Sequence, residues 1–438
     1  MKKHLIIGLG QTGLSILAFL QRHNQAAIGF DTRTDLPQLN VSADFKYYLG
    51  DLPTAVWQEI DKVIISPGVD PNHPVILKAQ RLGLPLIGDI ELFYHEAKAP
   101  IIAITGTNAK STVTTLVTEM LNAAGKKALM GGNIGIAALD LLSHPTPDFY
   151  VLELSSFQLD LVQDFKALIG CVLNISADHL DRHGTMTHYQ RTKERIYQNA
   201  THIITNRALE YLQLYPNLLS FGLSLPATEH DWGVAHQREE TWIMRGNTPV
   251  FNTAELSQGL SGAHNLENAL SALAILAPLH LPLEPQLEIL RHFKSLPHRC
   301  VFVRQVHGVD WYNDSKGTNV GATLAAIKGI AAKTSGKLIV LLGGVGKDQD
   351  FKPLQAALKQ HARSVIVYGQ DRKAIMADLE GLGCIDHGNH FEAALLEAQT
   401  QAQPGDTVLF SPACASLDLF KNYADRGEQF TAWVNKIE

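Results

Sequence analysis

The stretch Ile101-Ile-Ala-Ile-Thr-Gly-Thr-Asn-Ala-Lys-Ser-Thr112 runs an apolar strand straight into a polar turn, and a helix-like sequence from Val113 to Ala124 follows. Strand, tight turn with Lys-Ser, then helix is the order of a phosphate-binding loop. Backbone N–H groups face the anion, the lysine neutralises it and the hydroxyl reaches Mg2+. The usual G-x-x-x-x-G-K-[ST] pattern has glycine before the lysine, and that place is Ala109 here. The stretch is either a phosphate loop with one departure or an ordinary strand-to-helix turn, and the flanking sequence must separate the two.

Length and charge narrow the field. A chain of 438 residues exceeds one ordinary core, so about two to four domains are expected. Thirty-seven basic against 43 acidic residues give a net charge of −6, too mild and of the wrong sign for a dedicated nucleic-acid binder. Cys171, Cys300, Cys384 and Cys414 are far apart and form no C-x-x-C pair, which suits buried thiols in a reducing compartment. The apolar run after Met1-Lys-Lys stops at Gly8, and no later run reaches the roughly 18–20 residues of a membrane span. A cytoplasmic protein is expected.

The chain opens with a short apolar strand leading into Gly8-Leu-Gly-Gln-Thr-Gly13, a helix to Arg22, and a second strand, Ala26 to Phe30, that ends at Asp31. This is G-x-G-x-x-G in its strand–turn–helix setting with an acid about twenty residues on, a nucleotide-binding arrangement. Strands at Lys62 to Ser66 and Pro85 to Ile87 complete a β/α unit ending near Glu91. In the next unit Glu153 interrupts the apolar strand Tyr150 to Leu154, an expensive place for a carboxylate unless it is paired or binds a cation. Asn174-Ile-Ser-Ala-Asp-His-Leu-Asp-Arg-His183 follows another buried strand. Its His179 suits a site at a strand's C-terminal edge, while His183 suits a solvated loop. By composition alone Lys193 is a surface lysine, and His264 and Asn265 suit helix caps. A third unit follows Leu296-Pro-His-Arg299, with strands ending in Asn313-Asp-Ser-Lys-Gly-Thr-Asn319, Gly343-Gly-Val-Gly-Lys347 and Ser411-Pro-Ala-Cys-Ala-Ser-Leu-Asp418.

Taken together these stretches resemble the Mur ligases over nearly the whole chain. The resemblance is also carried by Gly88-Asp-Ile-Glu-Leu-Phe93, Gly131-Gly-Asn-Ile-Gly135, Leu152-Glu-Leu-Ser-Ser-Phe-Gln158 and Asp178-His-Leu-Asp181. The nucleotide loop is shared with folylpolyglutamate synthases, whereas Glu-Leu-Ser-Ser-Phe-Gln and Ser-Pro-Ala-Cys-Ala-Ser point to the D-glutamate-adding branch. The fold so implied is α/β in three domains. These are an N-terminal Rossmann-like UDP-binding domain over 1–91, a central P-loop-type ATPase sheet over 92–296 and a C-terminal Rossmann-like, amino-acid-binding domain over 297–438.

The activity so implied is ATP-dependent amide formation in peptidoglycan precursor synthesis. ATP phosphorylates the L-alanyl carboxylate of UDP-N-acetylmuramoyl-L-alanine, and the amine of D-glutamate displaces phosphate from that acyl phosphate. ATP and Mg2+ are the implied cofactors, both substrates are small molecules, and a monomer with no nucleic-acid or membrane partner is expected. By the same resemblance Gly106, Thr107, Asn108, Ala109, Lys110, Ser111, Thr112, Asn265, Asn268, Arg299 and Asp314 would hold ATP. Thr12, Asp31, Thr32, Arg33, Gly68, Asn133, Ser155 and Gln158 would hold the UDP-sugar, and Lys316, Thr318, Lys347, Ser416 and Tyr423 the D-glutamate. Lys110, Glu153, His179 and Lys193 would be catalytic. Ser111, Glu153, His179 and Lys193 would ligate magnesium, the last as a carbamate, whose formation requires the neutral amine.

Two departures fall on the reaction side: Ala109 in place of glycine, and Val345 where the family has an acid beside the D-glutamate lysine. If position 109 needs a positive φ, alanine there costs on the order of 1 kcal/mol. Lower ATP affinity or turnover is then expected, not a different reaction. The competing possibility is a catalytically impaired UDP-sugar-binding homologue. A folate γ-glutamyl ligase is disfavoured by Ser-Pro-Ala-Cys-Ala-Ser, and a nicotinamide dehydrogenase would leave the second and third units without a purpose.

Overall fold

The structure is a computed structural model and describes residues 2–36, 39, 41–209, 215, 218–260 and 262–438. Three sheets of five, nine and six strands are distributed over two compact units. The first unit comprises Met1–Ile175, Thr187–Ala254 and Asn268–Ile289, and the second Ser176–Met186, Glu255–Glu267 and Leu290–Glu438.

The first sheet is built from β1 (Lys3–Ile7), β2 (Ala27–Asp31), β3 (Tyr47–Leu49), β4 (Ile60–Ile65) and β5 (Leu86–Gly88). All its pairs are parallel, in the order β3-β2-β1-β4-β5. The chain winds outward from β1 on one side and returns to β4 on the other. The crevice between the ends of β1 and β4 is the switch point where ligands of such sheets bind. The turn after β1 needs its glycines. Gly8 has φ of +87°, and a Cβ on Gly13 would lie 1.8 Å from the Gly8 carbonyl oxygen.

The second sheet contains β6 (Ile101–Thr105), β7 (Ala128–Gly132), β8 (Phe149–Glu153), β9 (Ile169–Val172), β10 (His202–Asn206), β11 (Leu218–Phe221), β12 (Trp232–Gln237), β13 (Glu240–Arg245) and β14 (Thr248–Asn252). Its order is β14-β13-β12-β11-β10-β9-β6-β8-β7. Parallel pairing from β7 through β11 explains why these strands read as continuous apolar runs, since helices cover both faces. The weakly patterned stretch beyond residue 230 forms an antiparallel β12–β13–β14 meander, buried at the start of β12 and exposed toward the turn into β13. The switch point lies at β6, where register sets Ile104 beside Glu153 on β8 and Thr105 beside Val172 on β9.

The expected domain break at residue 91 falls within the helix Asp89–Glu96, so the chain passes between the first two sheets as continuous helix. The two sheets also share apolar packing, with Ile6, Leu17 and Phe93 in one buried cluster with Ala103, Tyr150 and Leu152.

The second unit holds β15 (Val301–Val306), β16 (Val309–Asn313), β17 (Leu338–Gly343), β18 (Ala362–Tyr368), β19 (Ile385–Asp386) and β20 (Thr407–Phe410), ordered β15-β16-β20-β17-β18-β19. Only β15 runs antiparallel to its neighbour. Register pairs Asn313 with Phe410 and Leu341 with Phe410, so the loops after β16, β17 and β20 leave from one edge. Among the described residues no helix is long and apolar enough to cross a membrane.

Candidate active site

The loop between β6 and the helix Lys110–Ala123 is tightly held. Thr107 N donates to the Asn174 carbonyl (2.9 Å), while the Asn174 side chain accepts from Asn108 N (2.8 Å) and donates to Asn108 O (3.2 Å). Lys110 Nζ folds back onto the carbonyls of Gly106 (2.8 Å) and Thr107 (2.9 Å), which sets an ammonium inside the turn. Ser111 and Thr112 begin the helix and are buried. Ala109 precedes that helix with φ of +68° and ψ of −9°, the left-handed conformation glycine adopts without strain. The conditional cost raised by the sequence therefore applies.

Glu153 ends β8 beside this loop and is buried. One carboxylate oxygen accepts from Asn133 Nδ2 at 2.7 Å, and the other, Oε2, is buried with no hydrogen-bond partner. Asn133 is pinned by its own N–H to the Glu153 carbonyl (2.8 Å), which the positive φ of Gly132 permits. A half-satisfied buried carboxylate beside a lysine–serine turn is the donor set a divalent cation completes.

Lys193 is not the surface lysine that composition alone suggests. It is buried, with Nζ 2.9 Å from Gly106 O and 4.8 Å from the centre of the Tyr189 ring, while Tyr189 OH meets Thr107 Oγ1 at 3.1 Å. Two ammonium groups, those of Lys110 and Lys193, thus converge on one carbonyl.

At the first sheet's switch point Asp31 receives the N–H of Leu9 at 2.7 Å and a two-point contact from Arg33 at 2.8 and 2.9 Å. Burial alone raises the Asp31 carboxyl, but Arg33 and the two backbone donors outweigh it and leave it below the usual range. Both oxygens are already engaged, unlike an acid that takes a ribose diol in nicotinamide enzymes. Thr12 lies in the first turn of the helix Gln11–Arg22, Thr32 follows Asp31, and Gly68 is exposed with no atom within 4 Å of a notional Cβ. Ser155 and Gln158 form a reciprocal capping box on the helix Ser156–Leu159. Gln158 Nε2 also donates to Asp89 Oδ2 at 3.1 Å, and burial pushes the Asp89 carboxyl up to about 6 although that amide opposes the shift.

The second unit carries the remaining candidates. Asp178 accepts from Lys347 Nζ at 2.5 Å, His179 N at 2.9 Å and Asn319 Nδ2 at 3.2 Å. Lys316 Nζ lies 5.0 Å from the centre of the Tyr423 ring, and Thr318 N bonds the Lys316 carbonyl. Val345 and Ala415 form an antiparallel bridge that joins the loop carrying Lys347 to the loop carrying the buried Ser416. Asp314 accepts from Ser411 Oγ (2.7 Å) and Cys300 N (3.2 Å), and burial pushes its carboxyl up to about 6 against these bonds and the Arg299 charge. Arg299 Nε is itself buried with no hydrogen-bond partner. Asn265, and Asn268 of the first unit, lie on the helix Ala263–Leu276, which starts at residue 263, so His264 and Asn265 are within its first turn and are not caps. His183, expected in a solvated loop, is buried in a short helix, Leu180–His183. Cys171 and Cys414 are buried as expected, but Cys300 and Cys384 are only half-buried.

Three residues that organise these groups escaped the sequence analysis. Asp178 was visible only as a motif letter, and Asp89 likewise. Arg426 is fully buried and donates to Ser315 Oγ and to the carbonyls of Ser315, Cys414 and Gly343, tying together the loops after β16, β17 and β20. Its only sequence signal is an arginine on the apolar side of the last helix.

Comparison with known proteins accounts for the arrangement. Residues 2–88 match the Mur ligase MurD-like N-terminal domain, 104–276 the Mur ligase middle domain and 298–414 the Mur ligase glutamate ligase domain. The chain is 43% identical over 441 residues to a UDP-N-acetylmuramoylalanine–D-glutamate ligase of Nitrosococcus oceani, covering 99% of this chain and 96% of that one. It is 42% identical to the enzyme of that name from Acinetobacter baylyi over 442 residues, 99% of this chain and 98% of the other. Among solved structures it is similar to the UDP-N-acetylmuramate–alanine ligase MurC of Thermotoga maritima (TM-score 0.64, 19% identity, 99% of both chains). MurF ligase of the same organism in complex with ADP also matches (TM-score 0.60, 16% identity, 99% of this chain and 96% of that one).

Three variants test the site. Ala109→Gly relieves the left-handed alanine, raising stability by about 1 kcal/mol and lowering the KM for ATP; an unchanged KM would show that the methyl does not hinder the phosphates. Glu153→Gln lowers turnover at least about a hundredfold while the unfolding midpoint holds or rises, because a buried oxygen without a donor loses its charge. Turnover within tenfold of the parent would show that Glu153 holds no ion the reaction needs. The Asp89 carboxyl rises from an unfolded value of 3.8 to about 6, so its ionised form carries a penalty that is absent below pH 3.8 and complete above about pH 6. Asp89→Asn is therefore more stable at pH 8 by on the order of 2–3 kcal/mol, and denaturant titrations should show that gain vanishing toward pH 4.

Proposed function

Because the chain belongs to the Mur ligase family and is an ATP-dependent UDP-N-acetylmuramoylalanine–D-glutamate ligase of peptidoglycan synthesis, we propose that it works through an acyl phosphate, with the residue roles that follow. The observation that carries this assignment is the Glu153 carboxylate, one oxygen held by Asn133 and the other buried without a donor beside the Lys110–Ser111 turn. That donor set fits Mg2+. Ser111, Glu153 and Lys193 as a carbamate would hold the ion in the first unit, and His179 is proposed as a magnesium ligand of the second. When bound, the metal supplies charge neutralisation for the ATP phosphates.

The chain's own residues do the rest. Lys110 and the N–H groups of Gly106 to Thr112 receive the β- and γ-phosphates, with the loop held rigid by Asn174. The L-alanyl carboxylate oxygen attacks the γ-phosphorus and the bond to the β-phosphate oxygen breaks, releasing ADP. The amine of D-glutamate, neutral after losing a proton to solvent, attacks the acyl carbon. The acyl C–O bond breaks to release phosphate, and the nitrogen gives up its second proton as the amide forms. Lys110 and Lys193 crowd one carbonyl as ammonium groups. Carbamylation of Lys193, in which its deprotonated amine adds to CO2 and loses a second proton, would remove that repulsion and add a carboxylate-like ligand. Asn265, Asn268, Arg299 and Asp314 are assigned to ATP. Thr12, Asp31, Thr32, Arg33, Gly68, Asn133, Ser155 and Gln158 are assigned to the UDP-sugar, and Lys316, Thr318, Lys347, Ser416 and Tyr423 to D-glutamate. Two carboxylates on that amino acid call for the two lysines. We further assign the enzyme to the cytoplasm as a monomer, with domains divided after residues 91 and 296.

Phosphate release from ATP with UDP-N-acetylmuramoyl-L-alanine, measured while amino acids are offered one at a time, tests the reaction. D-Glutamate alone supports release; release with L-glutamate, or binding of the UDP-sugar with no release under any amino acid, would overturn the assignment.

A further inference from the structure

D-Glutamate brings two carboxylates and one ammonium to the enzyme. The residues assigned to it above supply two cations and several hydroxyls but no acid, so the ammonium has no counterpart. The second unit contains one in the right company. Asp178 is buried, immediately precedes His179, and accepts at Oδ1 from Lys347 Nζ (2.5 Å) and His179 N (2.9 Å), and at Oδ2 from Asn319 Nδ2 (3.2 Å). Its cationic partner is Lys347, the lysine assigned to D-glutamate. The His179 N–H and the Asn319 amide need only a neutral acceptor, and a buried carboxylate is costly unless a cation uses it.

We propose that Asp178 is the ammonium-binding residue of the D-glutamate subsite, and that one D-glutamate inserts into the Lys347–Asp178 pair, its carboxylate on Lys347 and its ammonium on Asp178. The exchange conserves charge: one ion pair opens and two form, so neither Lys347 nor Asp178 is left buried and unpaired. It also gives the subsite a reason to select an amino acid over a plain dicarboxylate. Asp178 then fixes the nitrogen beside His179. Its ionised form is the one needed for docking, and no proton moves in this step. The inference rests on the assignment of Lys347 to D-glutamate.

Glutarate, the same dicarboxylate without the ammonium, separates this role from a purely structural one. Steady-state KM for D-glutamate and Ki for glutarate are measured in the full-length enzyme with saturating ATP and UDP-sugar. Asp178→Asn should raise the D-glutamate KM about tenfold or more and leave the glutarate Ki unchanged or lower, because Lys347 loses its competing carboxylate. If both constants rise together, Asp178 only positions Lys347, and if neither moves it takes no part; either result overturns the proposal. Lys347→Ala is the control. It raises both constants if the pocket is correctly placed, and if it changes neither, the assignment of the pocket fails independently of Asp178. Should Asp178→Asn not fold, as judged by circular dichroism, Asp178→Glu keeps the charge and displaces it by one methylene. It should raise the D-glutamate KM with little change in glutarate Ki, and an unchanged KM would overturn the proposal.

Discussion

The carbonyl of Gly106 and the carboxylate of Glu153 stand at the two sides of the β6 edge, and most of the first unit serves to hold them there. Two lysine ammonium groups meet on the Gly106 oxygen, and Glu153 keeps one oxygen without a donor. Neither arrangement is favourable by itself: like charges repel, and a buried acceptor without a partner costs about 1–3 kcal/mol. A close-packed parallel sheet makes them tolerable. Register fixes the Glu153 backbone beside Ile104, and Asn133 orients its carboxylate. Apolar burial in the shared core of the first two sheets offsets this unfavourable local state.

The second unit treats charge differently. Arg426 is fully buried, yet all four of its hydrogen bonds go to neutral acceptors on three loops. Its planar fork can reach several carbonyls at once, which an ammonium cannot do with the same rigidity. Asp314 is likewise absorbed into bonds with Ser411 and the Cys300 N–H. These groups set loop geometry, whereas Lys316 lies against an aromatic face and Lys347 against a carboxylate. Val345 fits this division. Its backbone bridges Ala415, and Lys347 two residues on pairs with the Asp178 carboxylate.

Much of this was legible from residue order alone, for reasons that can be named. The phosphate loop and Gly8 to Gly13 are local: a strand, a turn requiring glycine and a helix N-terminus lie within a dozen residues. Glu153 announced itself by interrupting an apolar strand. Lys193 did not, because its helix Met186–Glu194 is polar around most of its surface and only packing on Gly106 and Tyr189 buries it. Asp178 and Lys347 are 169 positions apart, Asp89 and Gln158 are 69, and no periodicity encodes such pairs. The meander β12–β14 and the antiparallel β15 were weak signals because half-solvated strands carry mixed composition.

What the sequence determined by itself was the family and the α/β class, since these follow from short-range geometry and from motifs a few residues long. Only the tertiary structure decided the electrostatic state of those residues. Ala109 is left-handed because the loop is held at both ends by Asn174 and the helix. Lys193 is buried, Glu153 is half-satisfied and Lys347 is paired, because each depends on strands and loops that folding brings together from distant parts of the chain. Desolvation and charge proximity are properties of position in space, and residue order specifies them only through the fold.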